Sequence, residues 1–585
     1  MNTANINSLW ASLIVEELVR LGVTYFCVSP GSRSAPLTVA AAQSESVEVL
    51  MHFDERGAAF HALGYARAAG RPAALICTSG TAAANYLPAI VEASMSSAPM
   101  IVLTADRPPE LRGTLANQTI DQVKLYSTYV RRHVDMPCPN TSIKPEFVLS
   151  TIDDTVYRSL DSPAGPVHIN CMFREPLAPT DTYEDFSEYL SGDVERWRNS
   201  DAPFTTHGIH SGSTSEPDLW KIAESAGKIE QGLIVVGRLR DDREAEAVLK
   251  LSRRLSWPIL PDILSQLRLG NDDSHLIASY DQMLNSPTFA GNHQAELCLH
   301  FGGPVTSKRL MQYLDSLTLK RYIHVSTDPR RLDPSHHVTD TLNSDIVEFC
   351  EHLAPMVPER EGGRWMIEFR NACDHVSDAI DSIMDSSAGL TEPMVARLIS
   401  RNITANTGLF LASSLPIREM DLFADCVGPL VHVAANRGAS GIDGTVASAS
   451  GFASGLGRPV TVLIGDLALL HDLNSLALAK SIKAPVVLVV FNNNGGNIFS
   501  FLPIAAHGDV FEKYFITPHG YTFEHVARMF DINYIPVQSQ QEFVDVYARA
   551  LQSAEPSLIE ITIDRRTTVE THNAIADAVR AKLGD

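Results

Sequence analysis

Two apolar, β-branched runs constrain this chain more than any other stretch: VTVLI at 460–464 and PVVLVV at 485–490. Their unbroken apolar character fits strands covered on both faces, and the residues between them suit a helix. The resulting β-α-β unit demands a parallel sheet with helices packed on it. Open parallel sheets bind ligands beyond the carboxyl ends of their strands, and Asp466 and Asn493 fall just past two such ends. Two hard oxygen donors on one rim suit Mg²⁺, which gathers about six oxygens and usually fills most positions with phosphate and water. Asp466, the side-chain oxygen of Asn493 and the backbone carbonyl of Gly495 would make such a site and leave room for a diphosphate. The same residues also fit a plain βαβ unit in which Asp466 caps a helix and NNNGG turns the chain. Spacing alone does not separate these readings.

Gly465-Asp466 followed 27 residues later by Asn492-Asn493 resembles the signature of thiamine diphosphate enzymes, which opens Gly-Asp-Gly and closes Asn-Asn. Leu467 replaces the usual third glycine, so the backbone there must not need a positive φ. Near the start of the chain, YFCVSPGSRSAPL from Tyr25 to Leu37 is similar to the N-terminal signature of the 2-succinyl-5-enolpyruvyl-6-hydroxy-3-cyclohexene-1-carboxylate synthase family of menaquinone biosynthesis. Five more stretches agree in order: TSGTAAANYLPA at 78–89, LTADRPPELRGTLANQTIDQ at 103–122, SKRL at 307–310, SSLPIRE at 413–419 and NRGASGIDG at 436–444.

The resemblance implies an α/β fold of three open parallel-sheet domains. These are a pyrimidine-binding domain over 1–195, a middle domain over 215–355 and a diphosphate-binding domain over 365–585, the first and third sharing topology. A chain of 585 residues is too long for one core and suits three domains. The polar text at 199–217 and at 354–363 reads as the two linkers.

The resemblance also implies thiamine diphosphate with Mg²⁺, or Mn²⁺ in its place. The implied reaction is decarboxylation of 2-oxoglutarate and 1,4-addition of the succinyl-semialdehyde carbanion to isochorismate. Glu55 is the implied catalytic carboxyl. It follows the strand-like VEVLMHF and opens an alanine-rich helix that lets a cofactor and a neighbouring subunit approach. A protonated carboxyl there hydrogen-bonds a ring nitrogen of the cofactor, and burial in an apolar interface favours that protonation. Taken alone, Glu55 also fits a first-turn glutamate favoured by the helix dipole. His52, Glu55 and His61 do not reproduce a zinc spacing.

Both implied substrates are dicarboxylates, and carboxylates leaving water need paired donors such as arginine forks. Arg33, Arg107, Lys308, Arg309, Arg418 and Arg437 all lie in or beside Gly/Ser/Pro-rich turns and are the candidate anion-binding cations. Ser32, Asn117, Gln118 and Ser414 are their candidate neutral partners, Ser414 also serving the cofactor. By resemblance Ile442 holds the cofactor's bent form, and Ile498, Phe499 and Leu502 wall the reacting centre, although the same apolar text fits core packing. Since Glu55 and Asp466 lie on different domains, the family architecture implies a homodimer or homotetramer whose sites are shared between chains.

A net charge of −22 argues against general nucleic-acid binding, which needs a basic face. The eight cysteines form no CxxC pair and read as reduced core thiols. No apolar run approaches the length of a membrane span, and the start of the chain lacks a leader pattern, so a cytoplasmic protein is expected. Two alternatives stay open. One is another thiamine diphosphate-dependent 2-oxoacid decarboxylase or carboligase, which would leave the arginine set surplus. The other is a non-catalytic cofactor-binding protein, which has no chemical need for Glu55.

Overall fold

The computed structural model describes residues 4–180, 184–208, 212–386 and 389–585. Its strands form three sheets. The first holds β1 (Tyr25–Val28), β2 (Glu48–Met51), β3 (Ala73–Cys77), β4 (Met100–Asp106), β5 (His133–Met136) and β6 (Pro166–Met172), in the order β2-β1-β3-β4-β6-β5. The second holds β7 (Gly232–Val236), β8 (Ile259–Pro261), β9 (Leu297–Phe301), β10 (Arg321–Ser326) and β11 (Asp340–Asn343), in the order β11-β10-β9-β7-β8. The third holds β12 (Gly408–Leu411), β13 (Val433–Ala435), β14 (Val460–Gly465), β15 (Val486–Asn492), β16 (Asn533–Val537) and β17 (Ser557–Thr562), in the order β13-β12-β14-β15-β17-β16.

Every strand pairing is parallel, so the expected α/β class is what folds. The apolar runs read from the sequence are its central strands: β15 is buried along its whole length and β14 up to its final residue. The first and third sheets have one winding order, as expected of two domains sharing a topology.

The chain packs as two compact units. One comprises Met1–His210 with Asn436–Arg458 and His471–Ala484; the other comprises Ser211–Ala435 with Pro459–Leu470 and Pro485–Asp585. Of the expected first linker, 209–211 lie outside the described residues. The expected second linker holds the short turn Ala354–Met356 and precedes the helix Arg364–Asp385.

In the first unit, the helix Glu55–Ala69 starts where Asp54 caps it, accepting the N–H groups of Arg56 at 3.0 Å and Gly57 at 3.5 Å. Its start is also tied to the segment after His471. Asn474 Nδ2 donates to Asp54 at 3.3 Å, and the Arg56 guanidinium donates to the His471 carbonyl at 2.9 Å. Buried Asp472 accepts the Ala447 N–H at 3.1 Å and the Ser475 hydroxyl at 2.8 Å, and burial pushes its carboxyl up to about 6. The alanine-rich helix packs against the chain's own helix Thr445–Leu456, because small residues on both let the backbones meet.

Candidate functional site

All the expected site residues lie past the carboxyl ends of strands, where parallel sheets bind ligands. Ser32 and Arg33 follow β1, Glu55 opens the helix after β2, and Arg107, Asn117 and Gln118 follow β4. Ser414 and Arg418 follow β12, Arg437 and Ile442 follow β13, and Asp466 follows β14. Asn493, Gly495, Ile498, Phe499 and Leu502 follow β15, and Lys308 and Arg309 follow β9.

In the second unit, β14 and β15 pair with Gly465 opposite Phe491, so Asp466 and Asn493 leave adjacent strands on one rim. Asp466 is buried and opens the short helix Asp466–His471; Leu467 lies inside that helix and is not among the positive-φ residues. Asp466 Oδ1 accepts the Leu467 N–H at 2.6 Å, and Oδ2 accepts the Gly495 N–H at 2.9 Å. His519 Nε2 lies 3.1 Å from the same oxygen. His519 Nδ1 accepts the Tyr521 N–H at 2.9 Å, which leaves the ring proton on Nε2 to be donated to Asp466. Burial pushes the Asp466 carboxyl up, and the bonds from Gly495 and His519 pull against it.

Asn493 is held by its nitrogen. Nδ2 donates to Glu392 Oε1 at 2.7 Å, and Asn497 Nδ2 donates to the same oxygen at 3.3 Å. The oxygens Asn493 Oδ1 and Asn497 Oδ1 are buried without a hydrogen-bond partner. A buried oxygen lacking a donor is what a hard cation satisfies, so these residues fit a Mg²⁺ site. Glu392 is itself wholly buried, and desolvation, then the Glu419 charge, push its carboxyl up to about 8. At Gly495, φ is +136°, and a β-carbon would lie 2.0 Å from the Ile516 carbonyl oxygen, so only glycine fits.

In the first unit, Arg107, Asn117 and Gln118 come together around Ser79. Arg107 donates to the Ser79 hydroxyl at 2.7 Å and to the Asn117 carbonyl at 2.9 Å. Ser79 donates to the Gln118 carbonyl at 3.0 Å, and Gln118 Nε2 returns a bond to the Ser79 carbonyl at 3.1 Å. Buried Arg33 donates to the Phe173 carbonyl at 2.9 Å and lies 3.8 Å from the exposed Glu175 carboxylate. Burial, then the neighbouring charge of Arg107, holds its guanidinium below the ordinary arginine value. Ser32 is exposed on the same loop. Glu55 is half-buried in the single chain, and Asn85 Nδ2 lies 3.3 Å from its Oε2.

The other expected residues are more dispersed. Ser414 has φ +76° and ψ −131°, a region that L-residues seldom occupy, and its carbonyl accepts from Arg418 Nη1 at 2.5 Å. Arg309 is paired with the Asp281 carboxylate, which also takes the Ser307 hydroxyl, while Lys308 is exposed. Phe499 packs edge-on against Phe515 with ring centres 5.4 Å apart, Ile498 is half-buried, and Leu502 is exposed. Ile442 is 36% exposed rather than part of a core. Sequence reading missed Ser79 and Asn85, although both stand inside the quoted TSGTAAAN stretch, and it missed Glu392 and His519, which no local pattern marks.

Family models match the chain in three places. They are a thiamine pyrophosphate enzyme N-terminal binding domain at 10–125, a middle domain of thiamine pyrophosphate enzymes at 187–411 and a thiamine pyrophosphate enzyme C-terminal binding domain at 427–561. The 2-succinyl-5-enolpyruvyl-6-hydroxy-3-cyclohexene-1-carboxylate synthase of Rubrobacter xylanophilus is 46% identical over 98% of both chains. The chain belongs to that synthase family. Proteins of the same name from Salinibacter ruber and Shewanella sediminis are 44% identical, covering 99% of this chain and 98% of theirs, and 39% identical over 99% of both. As a synthase family member the chain is a thiamine diphosphate-dependent enzyme, a transferase of the carboligase type. Among the described residues, no helix is long and apolar enough to cross a membrane.

Proposed function

We propose that the enzyme decarboxylates 2-oxoglutarate and adds the resulting succinyl-semialdehyde carbanion 1,4 to isochorismate, forming 2-succinyl-5-enolpyruvyl-6-hydroxy-3-cyclohexene-1-carboxylate for menaquinone biosynthesis. The observation that carries this reading is the near-full-length match to relatives named for this synthase; buried Arg33, with Arg107 as a like-charged neighbour, offers cations for the substrate carboxylates. A monocarboxylate such as pyruvate has less use for so many cations.

Thiamine diphosphate, when bound, supplies the electron sink for the bond broken on loss of CO₂. The protein's residues do the rest. Asp466, the free oxygen of Asn493 and the Gly495 carbonyl would hold Mg²⁺, or Mn²⁺, beside the diphosphate. Glu55 would hydrogen-bond the cofactor's aminopyrimidine ring nitrogen. Ser414 would contact the cofactor, and Ile442 and Ile498 would shape its pocket. Arg33, Arg107, Arg418, Arg437, Lys308 and Arg309, with Ser32, Asn117 and Gln118, take the substrate carboxylates and hydroxyls, while Phe499 and Leu502 exclude water.

The active form is a homodimer or homotetramer with Glu55 and Asp466 of different chains at each site. The exposed apolar edge beside Glu55 supports this: Met51 is 61% and Phe53 55% exposed, an arrangement suited to cover by a second chain. The proposed partition is the three-domain one, with boundaries near 195–215 and 355–365, and the proposed compartment is the cytoplasm, where the free thiols would stay reduced.

The test mixes protein, Mg²⁺, thiamine diphosphate and 2-oxoglutarate with and without isochorismate, following isochorismate loss and product mass. A decarboxylated succinyl adduct is expected. Intact isochorismate with a cofactor-loaded protein, or pyruvate used in place of 2-oxoglutarate, would overturn the substrate assignment.

A further inference from the structure

The loop 436–444 lies between β13 and the helix Thr445–Leu456 and carries Arg437 and Ile442. Three successive N–H groups of this loop converge on one carboxylate from a distant part of the chain. Gly438 N donates to Glu92 Oε1 at 2.8 Å; Ala439 N and Ser440 N donate to Glu92 Oε2 at 2.6 and 3.3 Å. Successive amides wrapped around one anion form a nest, and Ser440, at φ +61°, supplies the left-handed turn such a concavity needs. Glu92, on the helix Leu87–Met95, is only 3% exposed.

The carboxylate has a cation behind it. Arg67 donates to Glu92 Oε1 at 2.6 Å, to the Ser96 hydroxyl at 2.9 Å and to Asn436 Oδ1 at 2.5 Å, so it grips both the carboxylate and the start of the loop. Ala439, Ser440 and Ile442 are exposed, and a cavity of about 340 Å³ opens between Phe60, Leu87 and Val91 on one side and Ala439, Gly441 and Asp443 on the other. Beside that cavity the loop lies close to the helix at Gly438, where a β-carbon would stand 2.7 Å from the Glu92 carbonyl oxygen and 2.9 Å from the Met95 β-carbon. These polar bonds hold the loop on which Arg437 and Ile442 stand.

We propose that Glu92, backed by Arg67, is a positioning residue that sets the loop carrying Arg437 and Ile442, and through it the fit of cofactor and substrate. The proposal rests on the roles given above to those two residues. Glu92 acts through the loop backbone, whose amides at Gly438, Ala439 and Ser440 are engaged by its carboxylate.

Glu92→Gln tests this, since it keeps the shape and removes the charge and half of the acceptor capacity. Expected are faster hydrogen exchange at the amides of Gly438, Ala439 and Ser440, and thiamine diphosphate binding weakened by about 10- to 100-fold in calorimetry with Mg²⁺. The melting temperature is expected to fall as well, because neutralising Glu92 takes from the largely buried Arg67 the charge it pairs with, whereas a merely structural role would lower it without a selective loss of cofactor. Unchanged amide exchange, or unchanged cofactor affinity despite faster exchange, would overturn the proposal. Should Glu92→Gln fail to fold, Arg67→Lys keeps the charge and removes the fork; it is expected to weaken cofactor binding less but in the same direction, and wild-type affinity there would overturn the proposal equally. Wild-type protein that binds no thiamine diphosphate would fail the functional reading instead, so the two failures are distinguishable.

Discussion

A β-carbon on Gly64 would stand 1.8 Å from the carbonyl oxygen of Ser448, and the relationship is reciprocal: one on Gly451 would stand 1.9 Å from the carbonyl oxygen of His61. Two helices thus cross with each glycine set against the other's backbone. Backbone cannot swing aside as a side chain can, so the crossing tolerates no added methyl without separating the helices.

Gly64→Ala is therefore expected to destabilise the first unit by about 1–3 kcal/mol or more, despite alanine's better helix propensity. Thermal or denaturant unfolding reads this directly. A variant as stable as the parent would show that the helices can part freely.

Asp466→Ala should abolish Mg²⁺-dependent thiamine diphosphate binding, and His519→Ala, which frees Asp466 from its histidine, should weaken it by about 10- to 100-fold. Calorimetry with and without Mg²⁺ separates the two effects. Unchanged affinity in Asp466→Ala would remove that residue from the ligand set.

If each site draws Glu55 from one chain and Asp466 from another, two dead variants can rescue each other. Glu55→Gln and Asp466→Ala, each inactive alone, should regain up to about a quarter of wild-type activity when unfolded and reassembled together, because half the dimers are mixed and each has one intact site. No recovery, with mixed dimers shown by mass, would place both residues of a site in the same chain.

Glu17 and Asp153 are neighbouring buried carboxyls. Glu17 accepts from Trp197 Nε1 and the Phe204 N–H, each at 2.6 Å, and Asp153 accepts the Thr205 N–H at 2.7 Å. Burial pushes both upward, and the neighbouring carboxyl pushes Glu17 further. With Glu17 raised above its unfolded value of 4.5, the folded state binds the extra proton. The contribution is full below that value and is lost as pH rises through the folded value. Glu17→Gln keeps a neutral partner for Asp153, so its melting temperature should fall less from about pH 5 to about pH 9 and exceed the parent's by a few degrees at the alkaline end. Parallel profiles would exclude this pair as a source of alkaline instability.

The strands around Asp466 and Asn493 were legible because a buried parallel strand writes a continuous apolar run, and the rim residues follow from where each run stops. Glu55 was legible only through resemblance, since a glutamate opening a helix is ordinary. Glu92 was not legible at all. In LPAIVEASM it reads as a charge on a helix, and its meaning comes from a loop 346 residues away. Glu392 and His519 were missed for the same reason: each finds its partner through the fold and not through neighbouring sequence. The small residues of the alanine-rich helix announced a close approach without saying that the helix Thr445–Leu456 makes it.

The first and third sheets wind identically, so each loop on one rim has a counterpart on the other. The turn after β1 carries Arg33, and the turn after β12 carries Ser414 and Arg418; the segment after β4 carries Arg107, and the segment after β15 carries Asn493. A chain that holds the same rim twice has two editions of every loop, and one can be rewritten for a new ligand while the other keeps its task.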